Sequence, residues 1–207
     1  MVLDMNKERK TDRRTLYTIN AIKDAFLELE NKTVFERVSV KAICEEAEIS
    51  RATFYLHFDS INEVLNEVID DALLFSETGK GTVIDLVDVI KSGKFDISNN
   101  NEMILPACQR IADSEKYHRL FMDPSLSEYI INRIAKHEKD KIVPELMQRC
   151  GVSEEYAEMI FRFMLNGSFY VNKSMGWQKN DIWYKFQKVL SVFLDAGMRA
   201  VSGECTK

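Results

Sequence analysis

Apolar residues recur along this chain at intervals of three and four almost from end to end, and no segment sustains an alternation of period two. That periodicity predicts an all-helical protein. Neither an internal repeat nor a heptad run long enough for a coiled coil is present. The first helix is expected from about Asp12 to Leu29, with Ile19, Ile22, Phe26 and Leu29 on one face. Arg13 and Arg14 then fall in its first turn, the wrong sign for the helix dipole, which a nearby anion such as a DNA phosphate would relieve. Ser39 is a suitable N-cap for a short second helix whose stripe is Val40, Ile43, Cys44 and Ala47. Glu48-Ile49-Ser50 interrupts it, and Ser50 caps a third short helix, Arg51–His57, with Phe54 and Phe58 on one side. Ser60-Ile61-Asn62-Glu63 has the form of a capping box and opens a longer helix carrying Val64, Leu65, Val68, Ala72 and Phe75.

Beyond it, Ser76–Thr82 reads as a helix stop and linker, and Asp96–Asn101 as a polar loop. Further helices are expected at about Thr82–Ile90, Met103–Asp113, Glu115–Phe121, Leu126–Gln148, Glu154–Trp177 and Ile182–Val201. Pro144 falls inside the fourth of these, where proline kinks or divides a helix. The organisation that follows is a three-helix domain over residues 12–60, a linking helix over 60–76, and a larger helical bundle over 82–203.

Composition narrows the picture. No stretch approaches the roughly 18–20 uninterrupted apolar residues of a membrane-spanning helix, and the N-terminus lacks a signal-peptide run, so a cytoplasmic protein without membrane contact is expected. Cys44, Cys108, Cys150 and Cys205 are scattered without a C-x-x-C pair, which argues against a zinc site or a disulfide framework. His118 and His137, with Glu138 and Asp140 near the second, lack the i, i+4 spacing of a helical metal pair and read as surface residues. No metal or other cofactor is expected. Gly79-Lys80-Gly81-Thr82 falls short of a phosphate-binding loop in spacing, and no buried strand precedes it. No Ser/His/Asp or paired-carboxylate constellation points to an enzyme. The net charge of −5 disfavours broad nucleic-acid affinity, but Lys7, Arg9, Lys10, Arg13, Arg14 and Lys23 outnumber Asp4, Glu8 and Asp12 in the first segment. A local positive patch suffices for a site-specific binder.

Two short helices joined by a tight turn are the sequence form of a helix-turn-helix. Ile43, Ala47, Ile49 and Phe54 can lock the pair. Ser50, Arg51, Ala52 and Thr53 stand where base edges are read, and Ser39, Lys41, Tyr55 and His57 suit phosphate oxygens. The same pattern also fits three small helices of an ordinary bundle, with Tyr55 and His57 as surface residues.

The segment from Thr33 through Cys44, followed by Ala47-Glu48-Ile49-Ser50-Arg51-Ala52-Thr53-Phe54-Tyr55-Leu56-His57-Phe58, resembles the DNA-binding domain of the TetR family of bacterial regulators. The resemblance covers roughly Arg14–Phe75, and Thr53–Phe58 is its most specific part, close to the family's T-hydrophobic-Y-x-H-F signature. It implies DNA contacts at Ser39, Ser50, Arg51, Ala52, Thr53, Tyr55 and His57, with Phe54 and Phe58 on the packing side. It also implies a homodimer on a near-palindromic double-stranded operator with half-sites about one helical turn (~34–36 Å) or somewhat more apart, and a C-terminal domain that usually holds an effector pocket. Two departures stand out. Glu48 replaces a frequent glycine, so either the turn is built differently or Glu48 accepts an unusual backbone; Ile61 replaces a common lysine, which removes one phosphate contact.

In the C-terminal part, Tyr156, Ile160, Phe163, Gly167 and Tyr170 mark one helical face, and Ile182, Phe186, Val189, Phe193 and Leu194 another. These stripes are either core within one subunit or, as the resemblance implies, the dimer interface, where Gly167 and Ser168 permit close helix approach. Leu165–Trp177 is loosely similar to the C-terminal type found beside regulators of dihydroxyacetone metabolism. Phe95, Met103, Phe121, Met122, Phe161, Met164, Phe169 and Met175 are candidates to line an effector cavity, or plain core. A regulator whose C-terminal domain docks a protein partner instead of a small ligand is the competing expectation.

Overall fold

The computed structural model describes residues 2–77, 107–112 and 114–205. Phe95, Met103, the Gly79–Thr82 loop, the Asp96–Asn101 loop and the helix expected at Thr82–Ile90 lie outside the described residues. All regular structure among those described is helical: α1 (Val2–Lys32), α2 (Val40–Glu46), α3 (Arg51–Tyr55), α4 (Ile61–Glu77), α5 (Ala107–Ala112), α6 (His118–Met122), α7 (Ser127–Cys150), α8 (Glu154–Ser174) and α9 (Asp181–Cys205), with one turn of 3-10 helix at Phe35–Arg37. The chain packs as two units, Met1–Asp71 with Asp123–Leu126, and Ala72–Met122 with Ser127–Lys207.

In the first unit, Ile22, Phe26, Ile43, Phe54 and Val64 are fully buried and Leu65, Val68 and Ile69 nearly so. α1 supplies Ile22 and Phe26 from the expected face, while Ile19 and Leu29 are half-buried at its edges. The helix begins earlier than its periodicity predicts. Arg13 and Arg14 therefore lie within it rather than in its first turn, and their conflict with the helix dipole disappears. Lys23 also departs from expectation. It is buried, and its ammonium meets Asp71 on α4 at 2.6 Å, so it ties α1 to α4 and takes no part in an exposed basic patch. The box at Ser60 forms with a shift of one residue: Glu63 N–H donates to Ser60 Oγ at 3.3 Å, and Glu63 Oε2 accepts from the backbone of Asp59 at 2.6 Å.

The segment Asp123–Leu126 joins this unit although it lies far along the chain. Asp123 is buried, and its Oδ2 accepts the Phe35 N–H at 2.8 Å while its Oδ1 accepts the N–H and the hydroxyl of Ser125 at 2.7 Å each. It thereby satisfies a backbone donor in the turn that follows α1. Burial, the strongest single influence, pushes this carboxyl up, but the hydrogen bonds from Phe35 and Ser125 and one with Glu30 outweigh it and hold the group below the ordinary carboxylate range.

In the second unit, α7 packs along α8 and against α9, and α6 bridges α5 to α7. α7 runs unbroken through Pro144, whose ring is exposed. Ile130, Ile134 and Leu146 from α7 meet a core that includes Phe161, Phe169, Trp177 and Trp183. The Trp183 indole N–H donates to Asn172 Oδ1 at 2.6 Å, fastening α9 to α8, and Lys139 meets Glu158 at 2.6 Å between α7 and α8. His118 and His137 are half-buried rather than on the surface; His118 Nδ1 lies 2.7 Å from the Ala112 carbonyl. Cys44, Cys108 and Cys150 are buried, and burial pushes the thiol of Cys108 up to about 12.

The Asp123 clamp has a definite acid signature. A carboxyl depressed in the folded state contributes stability that is complete above its unfolded value, about pH 4, and is lost as pH falls through the folded one. Asp123→Asn should lower stability at pH 7 by about 1–3 kcal/mol and narrow the gap to the parent at pH 3. Urea midpoints at both values check this; a gap of equal size at pH 3 would remove the carboxylate from the account.

Candidate nucleic-acid interface

The candidate surface is built by α2, α3 and the turn between them. Ser39 has extended backbone and its Oγ accepts the Ala42 N–H at 3.1 Å, opening α2; Ser50 does the same for Thr53 N–H at 3.0 Å, opening α3. Each hydroxyl spends a lone pair on its helix and keeps a proton, except that Ser50 Oγ and Thr53 Oγ1 stand 2.9 Å apart and share one. Ser39 can thus cap α2 and still donate to a phosphate oxygen.

Between the helices the chain turns in a six-residue loop-back: Ile49 N–H donates to Cys44 O at 3.0 Å and Glu48 N–H to Glu45 O at 3.4 Å. This pair of bonds is a Schellman termination, and its left-handed position falls on Glu48, at φ 53°. Of the two ways to accommodate Glu48, the chain takes the strained one. Glycine is favoured there because a Cβ in the left-handed region costs about 1 kcal/mol or more.

One side of α3 is sunk into the unit. Phe54 is fully buried and Phe58 nearly so, with ring centroids 6.0 Å apart. Phe54 also meets Tyr55 edge-on at 5.4 Å, which steadies the tyrosine ring while it stays more than half exposed. The rest of the helix and its first turn are open: Ser50, Arg51, Ala52 and Tyr55 are exposed, and Thr53 and His57 are half-buried. Ser39 and Lys41 are exposed at the start of α2, where Lys41 lies 3.6 Å from Glu45 one turn on. All eight residues singled out from the sequence therefore belong to one small unit, six of them exposed and two half-buried.

Residues 24–68 match the family model described as Bacterial regulatory proteins, tetR family. Residues 24–68 therefore form a DNA-binding helix-turn-helix domain of the TetR type. Comparison with curated proteins yields no match, and neither does comparison with solved structures. The matched stretch runs from the end of α1 into the first half of α4 and contains the whole α2–α3 pair.

Two outward side chains of this TetR-type domain escape the sequence reading. Leu56, 79% exposed, stands between Tyr55 and His57, and Tyr17, 78% exposed, projects from α1 near Arg13 and Arg14. An apolar side chain held out in water beside a recognition helix suits the methyl group of thymine. The signal was available for Leu56: it is an apolar residue adjacent to the Phe54/Phe58 stripe but off its helical period. Ile61, where a lysine is common, is half-buried at the start of α4, so that position offers packing instead of charge.

Because Arg51 and Tyr55 are exposed, their roles in binding and stability separate. Arg51→Ala and Tyr55→Phe should each weaken binding to the operator by about 1–3 kcal/mol and shift the melting temperature by no more than about two degrees. Fluorescence anisotropy with operator DNA, beside calorimetry of the free protein, measures both. Unchanged affinity in the two variants would place the recognition surface elsewhere.

Proposed function

We propose that this TetR-family regulator is a homodimeric repressor that holds a near-palindromic operator and is released from it by a small effector bound in the C-terminal unit, acting in the cytoplasm. The observation that carries the dimer is the apolar surface of the last two helices. On α8, Tyr156, Met159, Phe163 and Tyr170 are each more than half exposed, and on α9 so are Ile182, Val189, Val192 and Phe193. Ile160 and Phe186 are half-buried at the margins of these stripes. Single exposed apolar residues are ordinary, but two helices each carrying a row of them, at helical spacings of three, four and seven residues, are what a partner subunit would cover. A space lies open beside Gly167: a Cβ built there would meet nothing within 4 Å, which suits the close passage of a second helix.

Pairing through these helices would give a two-fold axis, and a two-fold protein reads a palindrome. The repressor reading needs no chemistry beyond occupancy of DNA. For release, the buried residues Phe121, Phe161, Met164 and Phe169, with half-buried Met122, line the effector site. The acidic balance of the whole chain, −5, leaves specificity to contacts rather than to bulk charge.

Phe163 and Phe193, 72% and 66% exposed, can be changed without opening the core. The parent protein is expected to sediment as a dimer and to retard a palindrome from its own upstream region, less strongly as salt rises. Phe163→Glu combined with Phe193→Glu should sediment as a monomer with helical content intact and lose the retarded band. A monomeric parent would overturn the dimer and leave the stripes for a different protein partner; absence of sequence preference would overturn the regulator's mode of action itself.

A further inference from the structure

The C-terminal unit contains a buried spot that its own packing leaves unsatisfied. α8 ends in a turn in which Gly176 N–H donates to Lys173 O and Trp177 N–H to Asn172 O, both at 2.9 Å, with Gly176 left-handed at φ 61°. Trp177 follows in the same region at φ 58°, where a bulky side chain is strained. Its ring, 1% exposed, is packed edge-on to Phe121 with centroids 5.6 Å apart and to Phe169 at 5.1 Å. Gln109 on α5, also 1% exposed, donates from Nε2 to the Trp177 carbonyl at 3.1 Å. A carbonyl can only accept, so this bond fixes the amide's orientation and turns Oε1 away.

Among the described residues two polar atoms of this spot have no partner, the acceptor Gln109 Oε1 and the donor Trp177 Nε1. Buried groups left in that condition destabilise the fold that holds them. The fold is able to satisfy a buried indole, since Trp183, equally buried, gives its N–H to Asn172. A strained backbone, an orphaned donor and an orphaned acceptor thus coincide against aromatic walls, a combination retained at binding sites more readily than in plain core.

We infer that Gln109 and Trp177 form the polar end of a ligand site walled by Phe121 and Phe169. The ligand that fits is a small, flat aromatic molecule with a hydrogen-bond donor beside an acceptor, as in a primary aromatic amide. Its donor meets Gln109 Oε1 and its acceptor meets Trp177 Nε1–H. The inference rests on the effector reading above and supplies the effector's chemistry.

Isothermal titration of the full-length protein without DNA tests it, using benzamide (donor and acceptor), acetophenone (acceptor alone) and toluene (neither). Benzamide should bind saturably. Acetophenone should bind about tenfold more weakly, and Gln109→Leu should weaken benzamide by about tenfold while leaving acetophenone unchanged. Should Gln109→Leu fail to fold, tryptophan emission of the parent protein decides: benzamide should shift it to longer wavelength as Trp177 Nε1 gains an acceptor, and toluene should not. No saturable heat with benzamide, or equal binding of all three probes, overturns the site and leaves a buried water as the partner of both groups. Operator binding is read separately, so failure here and failure of the regulator reading give different results.

Discussion

The fully buried ring of Phe54 is the contact on which the rest of the DNA-binding unit depends. α3 has only five residues, Arg51–Tyr55, far below the length at which a helix is stable alone. Its orientation is therefore set by what it buries. Removing the Phe54 ring from water contributes about 2–3 kcal/mol, and Phe58, at 6.0 Å, keeps the pair from rolling. Seating Phe54 inward turns Ala52 to the far side of the helix and Tyr55 to its flank, while Arg51, one turn back on the Phe54 side, is exposed where it begins the helix. Recognition chemistry is here a consequence of packing.

A second constraint acts on the turn. α2 ends where its backbone must adopt a left-handed conformation, and this chain puts Glu48 there at φ 53°. The strain is tolerated because the bonds from Ile49 to Cys44 and from Glu48 to Glu45 close the loop, and because Ile43 and Cys44 are anchored in the core. Asp123 supplies an analogous anchor after α1 by accepting the Phe35 N–H. The small unit is thus held by a few buried rings and by polar groups that close each turn, and on its outward face Ser39 and Ser50 also cap the helices they begin.

Much of this was legible in the chain itself. Caps at Ser39 and Ser50 and the stripes of α2 and α3 depend on neighbours within a turn, so local sequence carries them. The outward apolar rows of α8 and α9 were visible as stripes, although periodicity alone could not say whether they faced a core or solvent; Phe163 and Phe193 are exposed whereas Phe161 and Phe169, on the same helix as Phe163, are buried. What escaped the sequence is long-range. Asp123 meets Phe35 across 88 positions, Gln109 meets Trp177 across 68, and Lys23 is removed from the basic patch by Asp71 on another helix. Such pairs leave no periodic trace.

The central claim is that the α2–α3 pair presents Ser39 and the Ser50–His57 face to the major groove. Dimethyl sulfate footprinting of the bound operator tests it most directly, because the reagent reports on guanine N7 at the floor of that groove. The account requires N7 protection in two symmetric clusters about one helical turn or somewhat more apart, with the protection diminished in Arg51→Ala. Full binding with every guanine N7 still reactive, or protection confined to the minor groove, would contradict it.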